Sequence, residues 1–460
     1  MVKVWLEVYG CSSSVSDGEI IAGIIASKGY ELASNFDEAD ASIIVTCVVK
    51  DATANRMVER IKRLSSKPLV VAGCMAKAEP DRIRRLNSKA GIVGPNVIDK
   101  IDLALASVLS AHTITPTTTN VTPTPPILLD GSIQKVGLPK VRVNPVISIV
   151  QIGSGCLSEC TFCETRIAKG RLMSYRIGDI VRQVREDIKQ GCKEVWLTST
   201  DNGAYGRDIG TNLAELIKAV CSIDAEFMIR VGMMNPQYLP SMLDDLIEAY
   251  RDDKIFKFIH IPVQSGSDRV LRLMRRGHRA STFIDMVKRF RKELNQCTIA
   301  TDMIVGFPSE SEEDFDASID LLLEVEPDVV NVSKYSARPG TKASMMMEQL
   351  SRHVINERSR IMHDVVSRVC YSRNLAWKGW EGPVLVDELG DAGIQGRNFA
   401  YKPIYLNVEN GSRRIVDVDH NNEYNSFNSD LRDARRLLGS WIRVRIDRVT
   451  THSLVGSIIG

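Results

Sequence analysis

The first hundred residues alternate between short apolar runs and amphipathic helical patterns. Apolar, β-branched runs at residues 2–9, 41–46, 68–73 and 91–94 predict strands, and helical periodicity follows at residues 17–28, 52–64 and 96–108. Strands that alternate with helices in this way predict a parallel sheet covered by helices on both faces. We therefore predict an open parallel α/β sheet domain at residues 1–110.

The middle of the chain repeats the strand–helix pattern at a regular spacing. It is preceded by a Thr- and Pro-rich stretch at residues 113–126, which predicts an extended linker within residues 111–140. Six β-type runs follow at residues 146–152, 194–199, 226–231, 257–263, 298–306 and 329–335. Such repetition predicts parallel strands joined by right-handed crossovers. Residues 141–375 are thus predicted to form a partial (βα)6 barrel.

The pattern changes after a polar helix near residues 353–377. Short alternating strands at residues 383–387, 403–408 and 441–450 are separated by Gly-containing turns at residues 390–393 and 396–397, and the polar run at residues 417–430 predicts an insertion. This pattern is typical of a small β-barrel, which we place at residues 376–460. The predicted fold class is α/β with a small C-terminal β-barrel.

Three cysteines of the first domain each follow directly on a predicted strand: Cys11, Cys47 and Cys74. In open α/β sheets ligands gather at the carboxyl ends of the strands, so these three thiols can converge although they are far apart in the sequence. Free cysteines are often ordinary buried residues, but three equivalent strand ends favour a ligand set. We name these residues the strand-end triad and predict that they hold an iron–sulfur cluster with one open iron.

A second set of cysteines follows the first strand of the predicted barrel. Cys156, Cys160 and Cys163, here named the loop triad, stand close together, and no Cys or His follows them until Cys192. Thiolates at such spacing suit iron–sulfur or zinc sites, and a structural zinc site is normally closed by a fourth ligand. Because three thiolates on a four-iron cluster leave one iron open, the loop triad predicts a reactive cluster.

Composition narrows the setting of this chemistry. The chain has 460 residues, ten cysteines and a formal net charge of +2 at pH 7, which neither requires nor excludes nucleic acid. No signal-peptide pattern opens the sequence, and no apolar stretch reaches the roughly 18–20 residues of a membrane span. Cysteines in this context predict reduced thiols or metal ligands in the cytoplasm, without a membrane partner.

The two triads together resemble a known family. The spacing of the loop triad is that of radical S-adenosylmethionine enzymes, and the domain with the strand-end triad resembles the methylthiotransferase subgroup, whose C-terminal barrel is called TRAM. Residues 196–206 (WLTSTDNGAYG) and 229–236 (IRVGMMNP) are similar to the branch that acts on N6-threonylcarbamoyladenosine in tRNA. Residues 260–267 (HIPVQSGS) and 304–308 (IVGFP) are similar to motifs of the wider family.

The resemblance implies an enzyme, a transferase, with two 4Fe–4S clusters and S-adenosylmethionine as cofactors. The loop triad would hold the cluster that binds the cofactor's amino and carboxylate groups and releases a 5′-deoxyadenosyl radical, which takes hydrogen from adenine C2. The strand-end triad would hold the cluster that carries the sulfur to be transferred. The implied product is the 2-methylthio derivative at position 37 of tRNA, and a protein reductant and a sulfur donor are implied partners.

Further cofactor contacts are predicted at the ends of the barrel strands. Phe162 is placed to pack on the adenine of S-adenosylmethionine, and Ser199 and Thr200 to approach its amino group. Arg230 is placed to pair with its carboxylate through a charge-assisted bond, and Gln264 to bond its ribose. The competing interpretation is that Phe162 is core and the polar residues cap strands. No catalytic residue is predicted beyond the cluster ligands.

The sequence departs from the family pattern at a few positions around the triads. Ser14 and Val45 stand where the family usually has asparagine, and Glu164 stands where an apolar residue is usual. Lys169 replaces the arginine of an Arg-Gly pair, which keeps the charge but loses the planar fork. None of these changes removes a ligand.

Basic residues predict RNA contact in two regions. Residues 269–292 are rich in Lys and Arg, and a basic helix pair can neutralise phosphates, although a solvated surface is the alternative. Near the end of the chain the arginines are Arg432, Arg435, Arg436, Arg443, Arg445 and Arg448.

Two other functions remain open at this stage. A methylthiotransferase of the same build can act on isopentenyladenosine in tRNA or on an aspartate of a ribosomal protein, which residues 230–236 disfavour. A protein of a different class, a non-catalytic RNA-binding protein with structural clusters, is disfavoured by the presence of all six cysteines.

Overall fold

A computed structural model of the chain describes residues 1–48, 51–113, 125–390, 393–407 and 436–459. Most of the predicted linker at residues 113–126 lies outside the described residues, as do the predicted insertion at residues 417–430, part of the turn at residues 390–393, and Arg432 and Arg435.

The first domain is a six-stranded parallel sheet. Its strands are β1 (Lys3–Val8), β2 (Glu31–Leu32), β3 (Ala41–Thr46), β4 (Leu69–Gly73), β5 (Gly91–Val93) and β6 (Ile127–Leu128). Its helices are α1 (Ser12–Ser27), α2 (Asp51–Leu64), α3 (Cys74–Ala78), α4 (Pro80–Leu86) and α5 (Ile101–Thr113), with a 3-10 turn at Ile98–Lys100. The strands lie in the order β2-β1-β3-β4-β5-β6, and all neighbours are parallel. The predicted open parallel sheet is confirmed.

Both faces of this sheet are covered, which buries every residue of β3. Ile43 and Val45 pack in one apolar cluster with α1 and α5, whereas Ile44 packs in another with α2, α3 and α4. The strands of a parallel sheet that is buried on both faces have nearly continuous apolar sequences. The carboxyl edge of the strands is then the place where reactive side chains can gather.

The central domain is a partial barrel. Its strands are β7 (Ile147–Gln151), β8 (Gly153–Ser154), β9 (Met173–Ser174), β10 (Glu194–Thr198), β11 (Met228–Val231), β12 (Phe258–His260), β13 (Thr298–Val305) and β14 (Val329–Lys334). Its helices are α6 (Thr165–Lys169), α7 (Ile177–Lys189), α8 (Leu213–Cys221), α9 (Leu243–Tyr250), α10 (Asp268–Leu273), α11 (Ala280–Glu293), α12 (Glu312–Val325) and α13 (Arg352–Leu375). Short 3-10 turns lie at Asn202–Ala204, Pro236–Tyr238, Pro240–Met242 and Ala343–Met345.

Six of these strands form the barrel wall in sequence order. Strands β7, β10 and β11 form one parallel sheet, and β12, β13 and β14 form another. A single parallel bridge between Ile229 and Ile255 joins the two sheets. Strands β8 and β9 form a separate antiparallel pair beside the loop triad. The predicted partial (βα)6 barrel is confirmed.

The C-terminal domain is a closed five-stranded barrel. Its strands are β15 (Glu381–Gly390), β16 (Gly393–Arg397), β17 (Pro403–Asn407), β18 (Trp441–Val449) and β19 (Leu454–Ile458), in the order β15-β16-β17-β19-β18. Apolar residues of alternating positions, such as Val384, Val386, Val444 and Ile446, fill its interior. The predicted small β-barrel is confirmed, whereas the exact domain boundaries remain predictions.

Buried polar contacts join this barrel to the central domain. Tyr401 donates a hydrogen bond to Glu194 over 3.0 Å, and Lys402 pairs with Asp328 over 3.0 Å. Burial, reinforced by the nearby carboxylate of Asp387, raises the pKa of Glu194. In the part of the chain that the structure describes, no helix is both long and apolar enough to cross a membrane.

Candidate iron–sulfur and cofactor site

The strand-end triad is brought together by the sheet order. Cys11 follows β1, Cys47 follows β3 and Cys74 opens α3 at the end of β4, and these three strands are direct neighbours. Gly10, at φ 128°, lets the backbone before Cys11 lie close to Cys47, since a Cβ added at Gly10 would lie 3.1 Å from Cys47 Sγ. The thiols of Cys11 and Cys47 act electrostatically on Cys74. The strand order therefore brings the three cysteines to one edge of the sheet, and their role as cluster ligands remains a prediction.

The three thiols differ in their electrostatic surroundings. Burial raises the pKa of Cys74 to about 12, with further contributions from Cys11 and Cys47. Desolvation by the surrounding protein also acts to raise the pKa of Cys11, but the ammonium of Lys169 and hydrogen bonds from Ser14 outweigh it and lower that pKa. Ser14, which departs from the family pattern, thus contacts a ligand directly, at 3.8 Å from Oγ to Sγ.

The loop triad is held by backbone bonds at the mouth of the barrel. The backbone N–H of Ser158 donates to Cys156 Sγ over 3.3 Å, and that of Cys163 donates to the carbonyl of Cys160 over 3.2 Å. Burial raises the pKa of Cys156 to about 12, and Asp201 raises it further. Burial also raises the pKa of Cys163. Burial thus favours the thiol form of Cys156 and Cys163, and a metal that binds them has to displace the proton.

Arg276 is a functional side chain that the sequence pattern did not reveal. Its Nη1 donates to Cys160 Sγ over 3.4 Å, its Nη2 donates to the carbonyl of Pro262 over 2.7 Å, and the residue is 5% exposed. We expected it on an RNA-binding surface because it lies in an Arg-rich stretch. Its burial assigns it to the loop triad instead.

Each triad consists of three thiols, the donor set predicted for an iron–sulfur cluster. Among the described residues, no three Cys, His, Asp or Glu side chains converge closely enough to ligate one ion. In a cluster each thiolate binds a different iron, so the ligands lie farther apart. Each triad supplies three thiols and no fourth protein ligand was predicted, which matches a four-iron cluster with one iron left for an exogenous ligand.

Two orphaned polar atoms beside the loop triad fit a polar cofactor. Thr200 Oγ1 and Asp201 Oδ2 are buried without a hydrogen-bond partner, although the other oxygen of Asp201 accepts from the backbone N–H groups of Gly203 and Asn235. Buried polar atoms usually find partners. Ser199 is already engaged, since its hydroxyl donates to Asn202 and accepts from the Asp201 backbone. Asp201 was not predicted, although it directly follows Thr200.

Arg230 lies inside the barrel among aromatic rings. Its guanidinium carbon is 4.9 Å from the ring centre of Trp196, 5.3 Å from that of Phe258 and 5.4 Å from that of Tyr401. Cation–π contacts of this kind hold a guanidinium in place. Its Nε is buried without a hydrogen-bond partner, so one donor is left for a ligand. Its pairing with a cofactor carboxylate remains a prediction.

Phe162 lies within the loop of the loop triad, and Gln264 lies just after β12. Phe162 is partly buried and meets Phe307 edge to face, with ring centres 6.5 Å apart. Gln264 follows β12 with φ at 77°, and its backbone bonds to Asp302 and Ile304 hold that conformation. A non-glycine residue in the left-handed region is strained and is often functional. Their contacts with a cofactor remain predictions.

A partly buried pair at barrel strands β12 and β13 was also not predicted. His260 Nε2 lies 3.1 Å from Asp302 Oδ2, and the amide of Asn331 donates to the other oxygen of Asp302 over 2.7 Å. Burial alone would raise the pKa of Asp302, but His260 and these hydrogen bonds outweigh it and lower that pKa.

The two triads lie on domains that contact each other at the sites themselves. Ser12, next to a ligand of the strand-end triad, hydrogen-bonds Thr198 at the end of β10 over 2.9 Å. Helix α3, which begins at Cys74, packs against α6, which follows the loop triad. Asp17 of α1 also joins the domains, because Gln151 of β7 donates to its carboxylate over 2.7 Å, and Lys135 of the predicted linker forms a buried ion pair with the same carboxylate.

The Arg-rich segment at residues 269–292 is largely engaged within the protein. Arg269 pairs with Asp314, and Arg289 pairs with Asp244. His278 is partly buried, and burial together with Arg276 lowers its pKa to about 4. These contacts leave fewer cations for phosphate than the sequence suggested.

Comparisons with known proteins show the family of this chain. Residues 150–322 match the model of the radical SAM superfamily, and residues 3–94 match the uncharacterized protein family UPF0004. A probable threonylcarbamoyladenosine tRNA methylthiotransferase of Pyrococcus abyssi is 40% identical over 91% of this chain and 97% of its own length. A threonylcarbamoyladenosine tRNA methylthiotransferase of Drosophila pseudoobscura pseudoobscura is 34% identical over 99% of this chain and 77% of its own.

Solved structures support the fold. The radical S-adenosylmethionine methyltransferase TsrM from Kitasatospora setae, with cobalamin and a 4Fe–4S cluster bound, superposes with a TM-score of 0.53 at 13% identity, over 75% of this chain and 77% of its own. The cobalamin-dependent S-adenosylmethionine radical enzyme OxsB gives a TM-score of 0.52 at 11% identity, over 79% of this chain and 56% of its own. At such identity the likeness concerns the fold alone.

Proposed function

The chain belongs to the radical S-adenosylmethionine methylthiotransferase family, in the branch named for threonylcarbamoyladenosine in tRNA, and from this premise we propose that it converts N6-threonylcarbamoyladenosine at position 37 of tRNA to its 2-methylthio derivative. It is an enzyme, a transferase. The family implies a 4Fe–4S cluster and S-adenosylmethionine. The second cluster, the added methyl group, the reductant and the sulfur donor belong to the proposal.

One observation carries the proposal: two groups of three thiols lie on neighbouring domains that contact each other beside both groups. The bond between Ser12 and Thr198 and the packing of α3 on α6 connect the two sites. An RNA-binding protein with structural clusters does not need open clusters near each other. Insertion of sulfur does, because the radical and the sulfur have to meet at one carbon atom of the substrate.

The residues around the loop triad fit a bound cofactor. Cys156, Cys160 and Cys163 would hold the cluster, which together with S-adenosylmethionine supplies a 5′-deoxyadenosyl radical. Thr200 and Asp201 offer unpaired oxygens to the cofactor's ammonium group. Arg230 offers a donor to its carboxylate, held by the rings of the barrel interior. The protein thereby orients the cofactor and keeps the reacting atoms away from water.

The strand-end triad fits the second cluster. Its thiols are grouped at the sheet edge, and the neighbouring ammonium of Lys169 favours the thiolate form of Cys11. A thiolate is the form that binds iron. This triad would hold the sulfur for transfer, and the chain's own contribution is to hold it next to the barrel mouth.

The exposed surface of the C-terminal barrel supports tRNA binding. Arg443, Arg445 and Arg448 of β18 are exposed. The register shift between Ile446 and Arg448 brings Arg448 to the same outer face as the other two, because an extra residue inverts the alternation. A row of arginines neutralises phosphates without reading sequence. Since tRNA is the proposed substrate, we also propose the cytoplasm as the site of action.

Mass spectrometry of tRNA nucleosides tests the substrate. Cells that lack the enzyme should accumulate N6-threonylcarbamoyladenosine and lose its 2-methylthio derivative, and the wild-type chain should restore it. A matched chain with Cys156→Ala should not restore it. An unchanged nucleoside profile would refute the proposal, whereas loss of 2-methylthio-isopentenyladenosine would point to the other tRNA substrate.

Iron analysis tests the second cluster separately. Anaerobically reconstituted wild-type protein should hold about eight irons, two clusters of four. Replacement of either triad by alanine should halve that number. If the chain with an intact strand-end triad and no loop triad binds no iron, the two-cluster part of the proposal is wrong.

A further inference from the structure

A cavity lies where the first domain meets the helix that follows the loop triad, and we name it the junction cavity. It has a volume of about 270 Å³ and is lined by residues of α3, α6 and β9, by residues 129–132 and by Asn96 and Ser154. Sites that enclose a whole drug-sized ligand have roughly 300–1,000 Å³. The junction cavity therefore suits one substituent of a larger molecule better than a complete nucleotide.

The lining of the junction cavity carries a positive charge. It contains three cations, Lys77, Lys169 and Arg171, and one carboxylate, that of Asp130. Asp130 pairs with Lys77 over 2.6 Å, and its side chain is 92% exposed, so this pair lies at the edge of the cavity that meets solvent. Among the described residues, the side chains of Lys169 and Arg171 have no hydrogen-bond or ion-pair partner. The free cations make an anion the ligand that the cavity suits.

The wall around Lys169 is held in place by hydrogen bonds. The amide of Asn96 donates to the Lys169 carbonyl over 3.1 Å, and the hydroxyl of Ser154 donates to the amide oxygen of Asn96 over 2.8 Å. Lys169 itself is 4% exposed. Charges attract each other more strongly where the protein excludes water than at a solvated surface. An anion in the junction cavity would therefore gain more from Lys169 than from an exposed lysine.

The junction cavity lies beside both triads. Ser154 precedes Cys156 by two residues, and the carbonyl of Gly170, which also lines the cavity, accepts from the backbone N–H of Cys156 over 3.2 Å. Lys77 lies on α3, the helix that begins at Cys74. A substituent of a base that is modified between the triads can therefore reach the cavity.

We propose that the junction cavity binds the carboxylate of the threonylcarbamoyl group of the substrate, with Lys169 and Lys77 as the cations that determine specificity. This rests on the proposed function, since it requires that the substrate is N6-threonylcarbamoyladenosine. The threonylcarbamoyl group is attached at N6 of adenine. Because C2 and C6 both flank N1, the group extends from the same edge of the base as the carbon that is modified.

The carboxylate separates this substrate from the alternative one. The isopentenyl group of isopentenyladenosine is apolar, so in the junction cavity it would leave the two lysines without a partner. A site with polar groups that pair with the correct substrate discriminates strongly against an analogue that lacks the matching group. The junction cavity therefore accounts for a choice between the two modified adenosines.

The test compares anticodon stem-loop RNAs that differ only at position 37. One carries N6-threonylcarbamoyladenosine and the other carries its methyl ester, in which the carboxylate is neutral. Their dissociation constants from the anaerobically reconstituted enzyme are measured by fluorescence anisotropy for the wild-type chain, Lys169→Gln, Lys77→Gln and Lys89→Gln. Lys89 is the matched control, because it is an exposed lysine of the first domain, between α4 and β5, and does not line the cavity.

We expect the wild-type enzyme to bind the acid about 10- to 150-fold more tightly than the ester, the factor that corresponds to a hydrogen bond with a charged group. Lys169→Gln and Lys77→Gln should each reduce this preference, and Lys89→Gln should retain it. The preference compares two RNAs on the same protein, so a variant with a lower cluster content weakens the binding of both RNAs and leaves their ratio unchanged.

The possible failures are distinguishable. Equal affinity of the wild-type enzyme for acid and ester would overturn the carboxylate site. A preference that survives in both Lys169→Gln and Lys77→Gln would overturn its assignment to the junction cavity. Mass spectrometry of the acid stem-loop after reaction with S-adenosylmethionine and a reductant tests the premise separately, because a wild-type enzyme that forms no 2-methylthio product would refute the proposed function.

Discussion

Replacement of Arg276 should weaken the cluster at the loop triad without disturbing the fold around it. The Arg276→Gln change removes a cation that donates to Cys160 Sγ over 3.4 Å in a site where the residue is 5% exposed. A hydrogen bond to a charged group contributes roughly 1.5–3 kcal/mol. That range corresponds to about a 10- to 150-fold change in an equilibrium constant, and we expect cluster retention to fall by a factor in this range.

The assay counts only the affected cluster. The strand-end triad is replaced by alanine, the remaining cluster is reconstituted, and the release of iron to a chelator is followed over time together with cleavage of S-adenosylmethionine. Arg275→Gln is the matched control, because Arg275 is the adjacent residue, is exposed and forms only a surface pair with Glu159 over 3.4 Å. Surface pairs contribute little, so this variant should behave like its parent.

A conservative change separates charge from shape at the same position. Arg276→Lys keeps the positive charge but lacks the planar guanidinium whose two Nη atoms donate hydrogen bonds to Cys160 Sγ and to the carbonyl of Pro262 at the same time. It should retain iron better than Arg276→Gln and worse than the parent. The reasoning is refuted if Arg276→Gln releases iron no faster than Arg275→Gln.

Three further changes test the domain contacts and the cofactor pocket. Burial and the carboxylate of Asp387 raise the pKa of Glu194, so the folded state holds a proton that the unfolded state loses above pH 4.5. The free energy of unfolding should therefore fall as pH rises beyond that value, by at most about 1.4 kcal/mol per pH unit. Chemical unfolding at pH 5.5 to 8.5 should show a weaker dependence of this free energy on pH for Glu194→Gln than for the wild-type chain. Lys135→Met removes the cation that pairs with the buried carboxylate of Asp17 and leaves that carboxylate the hydrogen bond from the Gln151 amide. The free energy of unfolding should therefore drop by about 3 kcal/mol, the low end of the range for a broken buried pair. A drop below about 1 kcal/mol, the scale of a surface pair, would contradict the buried ion pair. Thr200→Val removes a hydroxyl that has no hydrogen-bond partner in the protein, so the thermal stability should stay constant. Calorimetry should show that S-adenosylmethionine binds the reconstituted variant roughly 2- to 10-fold more weakly. Equal affinity would exclude a contact between Thr200 and S-adenosylmethionine.

The positions of the six cysteines at strand ends and in one loop follow from simple rules, whereas their role as ligands remains a prediction. Cys11, Cys47 and Cys74 each end a strand of apolar, β-branched residues, and parallel strands bring such ends to one edge. The loop triad is recognisable from its spacing alone. The alternation of strands and helices likewise predicted the sheet, the partial barrel and the small β-barrel, since each has a hydrophobic period of its own.

The supporting residues were not predictable, because their partners lie far away in the sequence. Arg276 is 116 residues from Cys160, in a run of basic residues that has the pattern of a surface. Lys169 looked like a substitute for arginine, and only the packing of α6 on α3 shows that its helix contacts the other domain. Asp201 was missed for a different reason: its unpaired oxygen is a property of the folded loop, not of a pattern. A buried charge is visible only once burial is known.

The contacts between the first two domains bear on how sulfur reaches the substrate. Separation of the domains would break the hydrogen bond that Gln151 of β7 donates to Asp17 of α1 and the bond between Ser12 and Thr198. A hydrogen bond to a charged group contributes roughly 1.5–3 kcal/mol. If the proposed function holds, these contacts keep the two triads near each other, and we expect no large movement of the first domain between radical formation and sulfur transfer. The proposed substrate base would then have to enter between the two triads at the barrel mouth, where we expect selectivity for the base to arise.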